Sequence, residues 1–266
     1  MKKDIEITEL TEKLQINIPE LMRTFNVPGL SLALIRDAQL VWSQCFGYRN
    51  KDTKEVVAED TVFEAASLSK PVYAYAALKL CESGVLHLDV PLNDYLPDYI
   101  PNEPRLSQIT MRHVLSHTSG FPNWRPKGKA LEMQFSPGER FLYSGEGYMY
   151  LQEVITQVTK QEPVEFVRSE ILEPFGMQHS SFTWNGDEKL AVAVGHDENG
   201  KAQKKNLWEV VYAAASLHST PTDFGKFMCA VMKPSASNPK YLGAEMNQEM
   251  LKTQVQVNDS ASWHQG

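Results

Sequence analysis

An α+β fold is the class that the sequence predicts, on three observations. Strand-like runs come early and helix-like runs fill the middle of the chain, an order that separates the two element types instead of alternating them along a parallel sheet. Two of the early strand-like runs are only a tight turn apart, a spacing that suits an antiparallel hairpin and is too short for a parallel crossover. Finally, the chain has 266 residues, of which 42% are hydrophobic and 22% charged. That is enough to bury a substantial core in one large domain or one split into two lobes.

The elements follow in order. Glu6 to Phe25 carries apolar residues at Ile16, Ile18, Leu21 and Met22 among mixed charges, which predicts an amphipathic helix. Leu30 to Ile35 and Leu40 to Tyr48 are β-rich, with Asp37 and Ala38 as the turn between them. Helices are predicted near Ser69 to Glu82, Met111 to Leu115, Tyr148 to Val158 and Val164 to Leu172, with stops at Gly84, Gly120 and Gly176. The proline-rich stretches Pro91 to Pro104 and Pro122 to Pro137 read as connections between lobes. A short strand at Leu190 to Val194, a turn at Asn199-Gly200 and a helix at Thr222 to Met232 complete the reading.

A net charge of -7 with no basic stripe makes phosphate backbones and anionic lipid poor partners. No stretch approaches the roughly 20 apolar residues that span a bilayer. The early acids of Met1-Lys2-Lys3-Asp4-Ile5-Glu6 do not resemble a secretory signal. Cys45, Cys81 and Cys229 are odd in number and widely spaced, which indicates neither a disulfide framework nor a metal cluster. The expectation is a cytoplasmic setting, or a periplasmic or secreted one if a leader has been removed.

The chemistry centres on Phe63-Glu64-Ala65-Ala66-Ser67-Leu68-Ser69-Lys70-Pro71, an S-x-x-K placed where an extended segment turns into a helix. A serine at a helix start lies in the positive field of unpaired backbone N–H groups, which favours negative charge on its oxygen. Lysine three residues on falls on the same face. Partly desolvated, it gives up its proton more readily, so that a neutral amine can take the proton of Ser67. Pro71 suits a first helical turn. A second copy, Ser237-Asn238-Pro239-Lys240, sits in a loop composition and reads as a turn. Glu64 reads as a structural carboxylate.

Ser136-Pro137-Gly138-Glu139-Arg140-Phe141-Leu142-Tyr143-Ser144-Gly145 delivers Tyr143 just ahead of a helix. This stretch resembles the Tyr-x-Asn motif of class C β-lactamases, D-alanyl-D-alanine peptidases and family VIII esterases. Phe25-Asn26-Val27-Pro28-Gly29-Leu30-Ser31, Leu115-Ser116-His117-Thr118-Ser119-Gly120 and Ala213-Ala214-Ala215-Ser216-Leu217-His218-Ser219-Thr220-Pro221-Thr222-Asp223 resemble further landmarks of that superfamily in the same order. The resemblance implies a β-lactamase/transpeptidase-like fold over residues 1–266, a single domain with a helical lobe against an antiparallel sheet flanked by helices. It also implies Ser67, Lys70 and Tyr143 as catalytic residues, no cofactor or metal, and a small acyl substrate: an ester, a peptide or a β-lactam.

Two departures bear on the carry-over. Gly145, a candidate substrate-binding position, replaces the asparagine whose amide helps hold an acylamino substrate in the family; this favours esters over β-lactams. The third motif, Lys-Thr-Gly or His-x-Gly on a cleft strand, has only imperfect candidates in Lys252-Thr253-Gln254 and His264-Gln265-Gly266. The reading is that the chain stops before the true third motif, that Ser260 to Gly266 approaches a missing strand, and that the sheet has an unpaired edge. A rival is a non-catalytic or defunct binding or regulatory relative that lacks the third motif. A third reading places a metal on His113 and His117, but Val114 stands where a zinc protease carries its glutamate. His117 is therefore read as a packing or capping residue, and Trp124 as either a cleft wall or an exposed loop residue.

Overall fold

The structure, a computed structural model, describes residues 6–184, 191–205, 208–234, 238, 240–257 and 264–265. Helix α1 (Ile7–Thr24) leads into strands β1 (Gly29–Arg36) and β2 (Gln39–Asn50), which pair antiparallel from Gly29 opposite Gly47 to Arg36 opposite Gln39. Asp37 and Ala38 both take positive φ, 53° and 56°, as a two-residue hairpin turn of the primed type requires. Strand β3 (Glu55–Val56) adds to β2, giving the order β1-β2-β3.

Strand β4 (Phe63–Ala66) runs directly into helix α2 (Ser69–Glu82). Every residue of α2 from Val72 to Leu78 is buried, so this helix is apolar all round and forms the centre of the core, as such a pattern demands. Tyr75 packs edge-on between Phe175 and Phe227, at 5.4 and 5.7 Å between ring centroids. Its hydroxyl accepts the Leu242 N–H at 2.7 Å. Around α2 lie α3 (Met111–Leu115), α4 (Gly145–Thr159) and α5 (Pro163–Val167), which continues as a π-helical turn over Arg168–Leu172. Strand β5 (Leu217–Ser219) pairs antiparallel with β4. Helix α6 (Pro221–Met232) packs on β1 and β2, and α7 (Ala244–Leu251) lies against α2. Strand β6 (Val255–Gln256) pairs with β7 (His264–Gln265). Helices and antiparallel sheets thus build the α+β fold.

Several expectations are adjusted. Helix α4 starts at Gly145, ahead of Tyr148, because the Ser144 hydroxyl accepts the Gly147 N–H at 2.9 Å and caps it; two glycines in its first turn hide that start from any apolar pattern. All three stop glycines are left-handed, but only Gly84 lies directly past its helix; Gly176 and Gly120 follow the ends of the π-helical turn and of α3 by four and five residues. The strand predicted at Leu190 to Val194 is a single parallel bridge from Val62 to Val192. Its backbone is divided between two partners, Ala193 N–H donating to Val62 and Val194 N–H to Arg49, so no ladder develops; Leu190 lies outside the described residues. Gly200 N–H donates to the Asp197 carbonyl, closing the predicted turn. At the second S-x-x-K, Tyr241 N–H donates to the Asn238 carbonyl in a turn, while Ser237 and Pro239 lie outside the described residues.

Candidate active site

The end of β4 shapes the site. Ala66 has φ 47°, a left-handed conformation that a residue with a Cβ adopts only when its surroundings hold it there. Ser69 supplies that hold: its buried hydroxyl donates to the Ala66 carbonyl at 2.5 Å and accepts the Leu217 N–H at 2.8 Å. This ties the turn to β5. Ser67, in the turn between β4 and α2, is thereby left exposed, just ahead of the free N–H groups at the helix start.

Lys70, in the first turn of α2, is 5% exposed. Its Nζ donates to the Ala214 carbonyl at 2.7 Å and to Ser67 Oγ at 3.3 Å. Burial lowers the pKa of this amine from the ordinary lysine value, with the Tyr143 hydroxyl opposing the shift. Lys70 forms no ion pair with a carboxylate among the described residues. The acceptor at Ala214 is itself positioned by Gln152 of α4, which accepts the Ala213 N–H at 2.9 Å and donates to the Val211 carbonyl at 3.1 Å.

Tyr143 enters from the opposite side. Lys70 Nζ lies 4.6 Å from its ring centroid, and the His117 ring stacks obliquely on it at 4.4 Å. His117 is not on a helix: α3 ends at Leu115, and His117 has φ 57°. That turn lets its carbonyl accept the Leu142 N–H at 2.8 Å and its Nδ1 accept the Ser144 N–H at 3.0 Å. The ring thus carries its proton on Nε2 and brackets Tyr143 from both chain neighbours. Burial first, then the nearby Lys70 charge, pushes the His117 pKa down to about 4. His113 instead closes a capping box with Thr110 at the start of α3. The two imidazoles thus serve separate structural tasks.

The structure brings Ser67, Lys70 and Tyr143 together on one pocket of about 280 Å³. His117, Tyr148 and Leu115 also line it, as do Ala74, Met250 and Gln254. Gly145, the candidate substrate-binding position, is buried two residues after Tyr143 and does not line that pocket. A Cβ there would lie 2.7 Å from the Asn123 carbonyl oxygen and 2.9 Å from Trp124 Cζ2; the position has no room for an asparagine. Of the third-motif candidates, Lys252 is exposed and 3.6 Å from Glu249, and Gln254 accepts from Arg112 at 3.1 Å. Lys252-Thr253-Gln254 therefore follows α7 as a connection and leads into β6, while Gly266 and residues 260–263 lie outside the described residues.

Sequence reasoning missed Ser69 and Gln152 as organisers of the site, while His117, read as a packing or capping residue, packs on Tyr143 and accepts the Ser144 N–H. Only His117 had a signal, its place in Leu115-Ser116-His117-Thr118-Ser119-Gly120.

The sequence profile of the Beta-lactamase family matches residues 14–264. The chain belongs to the Beta-lactamase family. Among curated relatives, "Protein flp" of Staphylococcus aureus strain MRSA252 is 28% identical over 69% of the chain and 42% of its own length. Esterase EstB of Burkholderia gladioli is 25% identical over 73% of the chain and 56% of its own length. The octameric penicillin-binding protein homologue of Pyrococcus abyssi superposes with a TM-score of 0.78 at 28% identity, over 91% of the chain and 60% of that structure. A class C β-lactamase shares the fold, with a TM-score of 0.78 at 22% identity over 92% and 70%. The chain thus spans about half the length of these curated relatives. The β-lactamase/penicillin-binding-protein fold expected from the motifs is present. No helix among the described residues is long and apolar enough to cross a membrane.

Proposed function

We propose that residues 1–266 form a single-domain serine hydrolase that works through an acyl-enzyme on Ser67, with ester substrates favoured over β-lactams. The observation that carries this is the buried Lys70 amine within hydrogen-bond reach of an exposed serine hydroxyl. In its neutral form Lys70 takes the proton of Ser67 as Oγ attacks the substrate carbonyl. The Ser67 N–H at the helix start stabilises the oxyanion. When the tetrahedral intermediate collapses, Tyr143 passes a proton to the departing alcohol or amine, with Lys70 as the source. Water then attacks the acyl carbonyl, again giving a proton to the Lys70–Tyr143 pair, and the acid leaves as Ser67 recovers its hydrogen. The family's esterase, β-lactamase and penicillin-binding relatives support this reading.

A fluorophosphonate probe tests it by intact mass and peptide mapping. One probe per chain, mapped to Ser67 and absent from Ser67→Ala, is expected; folded protein that takes no label overturns the reading. A second reading, a binding relative without turnover, is favoured by the outward course of Lys252 onto Glu249. It predicts stoichiometric labelling with no multiple turnover of any ester.

A further inference from the structure

The pocket at Ser67 does not end at the reacting groups. It follows one face of α2, where Pro71, Ala74 and Leu78 line it at helical spacing behind the Ser67 hydroxyl, and Leu78 lies about 16 Å further along the helix axis. Helices α3 and α7 supply facing walls through Leu115 and Met250. Ala74 opens the space: Lys70 and Leu78, four residues to either side on the same face, are long, and the alanine between them leaves a groove. Close-packed interiors otherwise hold few voids larger than a water molecule. Ser116 also lines the pocket, but its hydroxyl donates to the Arg112 carbonyl at 2.7 Å and lies 3.0 Å from Thr118 Oγ1, so it asks for no polar ligand.

The far end is plugged. Helix α3 runs toward His117 and Tyr143, so Arg112 stands one turn further from the reacting groups than Ser116, and its backbone N–H donates to the Leu88 carbonyl at 3.0 Å. The guanidinium gives Nε and Nη2 to Asp89 at 2.7 and 2.9 Å, and Nη1 to Gln254 at 3.1 Å and to Glu249. Lys252 lies 3.6 Å from Glu249. Two cations thus face two carboxylates, and the plug has no net charge to offer an ionic ligand. Spread over the length of α2 from Ser67 to Leu78, about 280 Å³ leaves a narrow bore.

We propose that this channel takes the straight aliphatic chain of an ester substrate, with the carbonyl at Ser67 and the chain directed along α2 toward the Arg112 plug. The proposal rests on Ser67 acylation for its kinetic readout. Each methylene moved from water onto an apolar wall strengthens binding about fourfold, whereas a branch beside the carbonyl has no room in the bore. Met250, unbranched and adaptable, suits a wall that follows a flexible chain.

The test measures kcat/KM of the full chain on two series: p-nitrophenyl acetate, butyrate, octanoate and 2-ethylhexanoate, and ethyl, butyl, octyl and 2-ethylhexyl acetate. In at least one series the straight eight-carbon chain is expected to exceed both its two-carbon relative and its branched isomer about tenfold or more; which series does so shows whether the channel holds the acyl or the alcohol side. Ala74→Leu fills the groove from α2 and Met250→Trp fills it from α7, and each lowers the ratio of eight-carbon to two-carbon kcat/KM about tenfold. No rise with chain length in the parent, no preference over the branched isomer, or a ratio unchanged in the variants overturns the proposal. Binding without turnover separates it from the catalytic reading: octan-1-ol is titrated against protein carrying 13C-methyl methionine, with the Met250 signal identified by its loss in Met250→Leu. A saturable shift of Met250, with the exposed Met228 and Met232 of α6 unmoved, supports the channel even if Ser67 takes no label. No shift, or one shared by all three methionines, refutes it even if Ser67 is labelled.

Discussion

At the scale of single residues, the site depends on groups kept uncharged by burial. His117 holds Tyr143 in place, and its pKa of about 4 lies below the ordinary 6.5. The unfolded chain therefore binds a proton that the folded chain does not between about pH 6.5 and 4, so this group's stability contribution is present above that window and lost as pH falls through it. The difference corresponds to roughly 3 kcal/mol. Urea midpoints for the parent and His117→Asn, taken at pH 7.5 and 4.5, check it. The parent is expected to lose more stability on acidification than the variant; equal losses count against the assignment. The Ser67–Lys70 hydrogen bond was legible because S-x-x-K at a helix start fixes its own geometry through helical spacing, whereas Tyr143 was singled out by its resemblance to the Tyr-x-Asn motif. His117 was not legible as its neighbour, since a left-handed turn after α3, and no sequence periodicity, swings the imidazole onto Tyr143.

At the scale of elements, two buried side chains bind the site together across long sequence separations. Gln152 ties α4 to the Val211–Ala213 backbone, which positions the Lys70 acceptor. Gln152→Leu keeps the volume but leaves a buried N–H and a carbonyl unpaired, at about 1–3 kcal/mol each. It is expected to lower the denaturation midpoint and to slow Ser67 labelling; a slower label with an unchanged midpoint contradicts the structural part. Ser69→Ala, which removes the tie between the Ala66 turn and Leu217, is expected to cost a similar 1–3 kcal/mol or about that, read by the same denaturation. The hairpin, α2 and α3 were legible because their apolar spacing and turn residues are local. The start of α4 and the bridge at Val192 were not: one depends on a serine cap followed by glycines, the other on tertiary partners at Val62 and Arg49. Pairing of β4 with β5 joins residues about 150 apart in sequence, and no local pattern encodes it.

At the scale of the whole molecule, β1 pairs with β2 alone among the described residues, so within those residues its other edge has no strand partner. Exposed Ile16, Phe25 and Val56 add apolar surface on the same N-terminal elements. Open edges of this kind template pairing between chains. Light scattering behind size exclusion is expected to show mass rising with concentration; a constant monomer mass across the range contradicts this. The chemistry proposed for this molecule converges on one point, the buried amine beside an exposed serine. The pH dependence of the rate at which a fluorophosphonate labels Ser67 is the decisive measurement. The expected rate rises with pH to an inflection below 10.5, the ordinary lysine value, and collapses in Lys70→Ala. A rate at Ser67 that ignores both pH and the loss of Lys70 would contradict it.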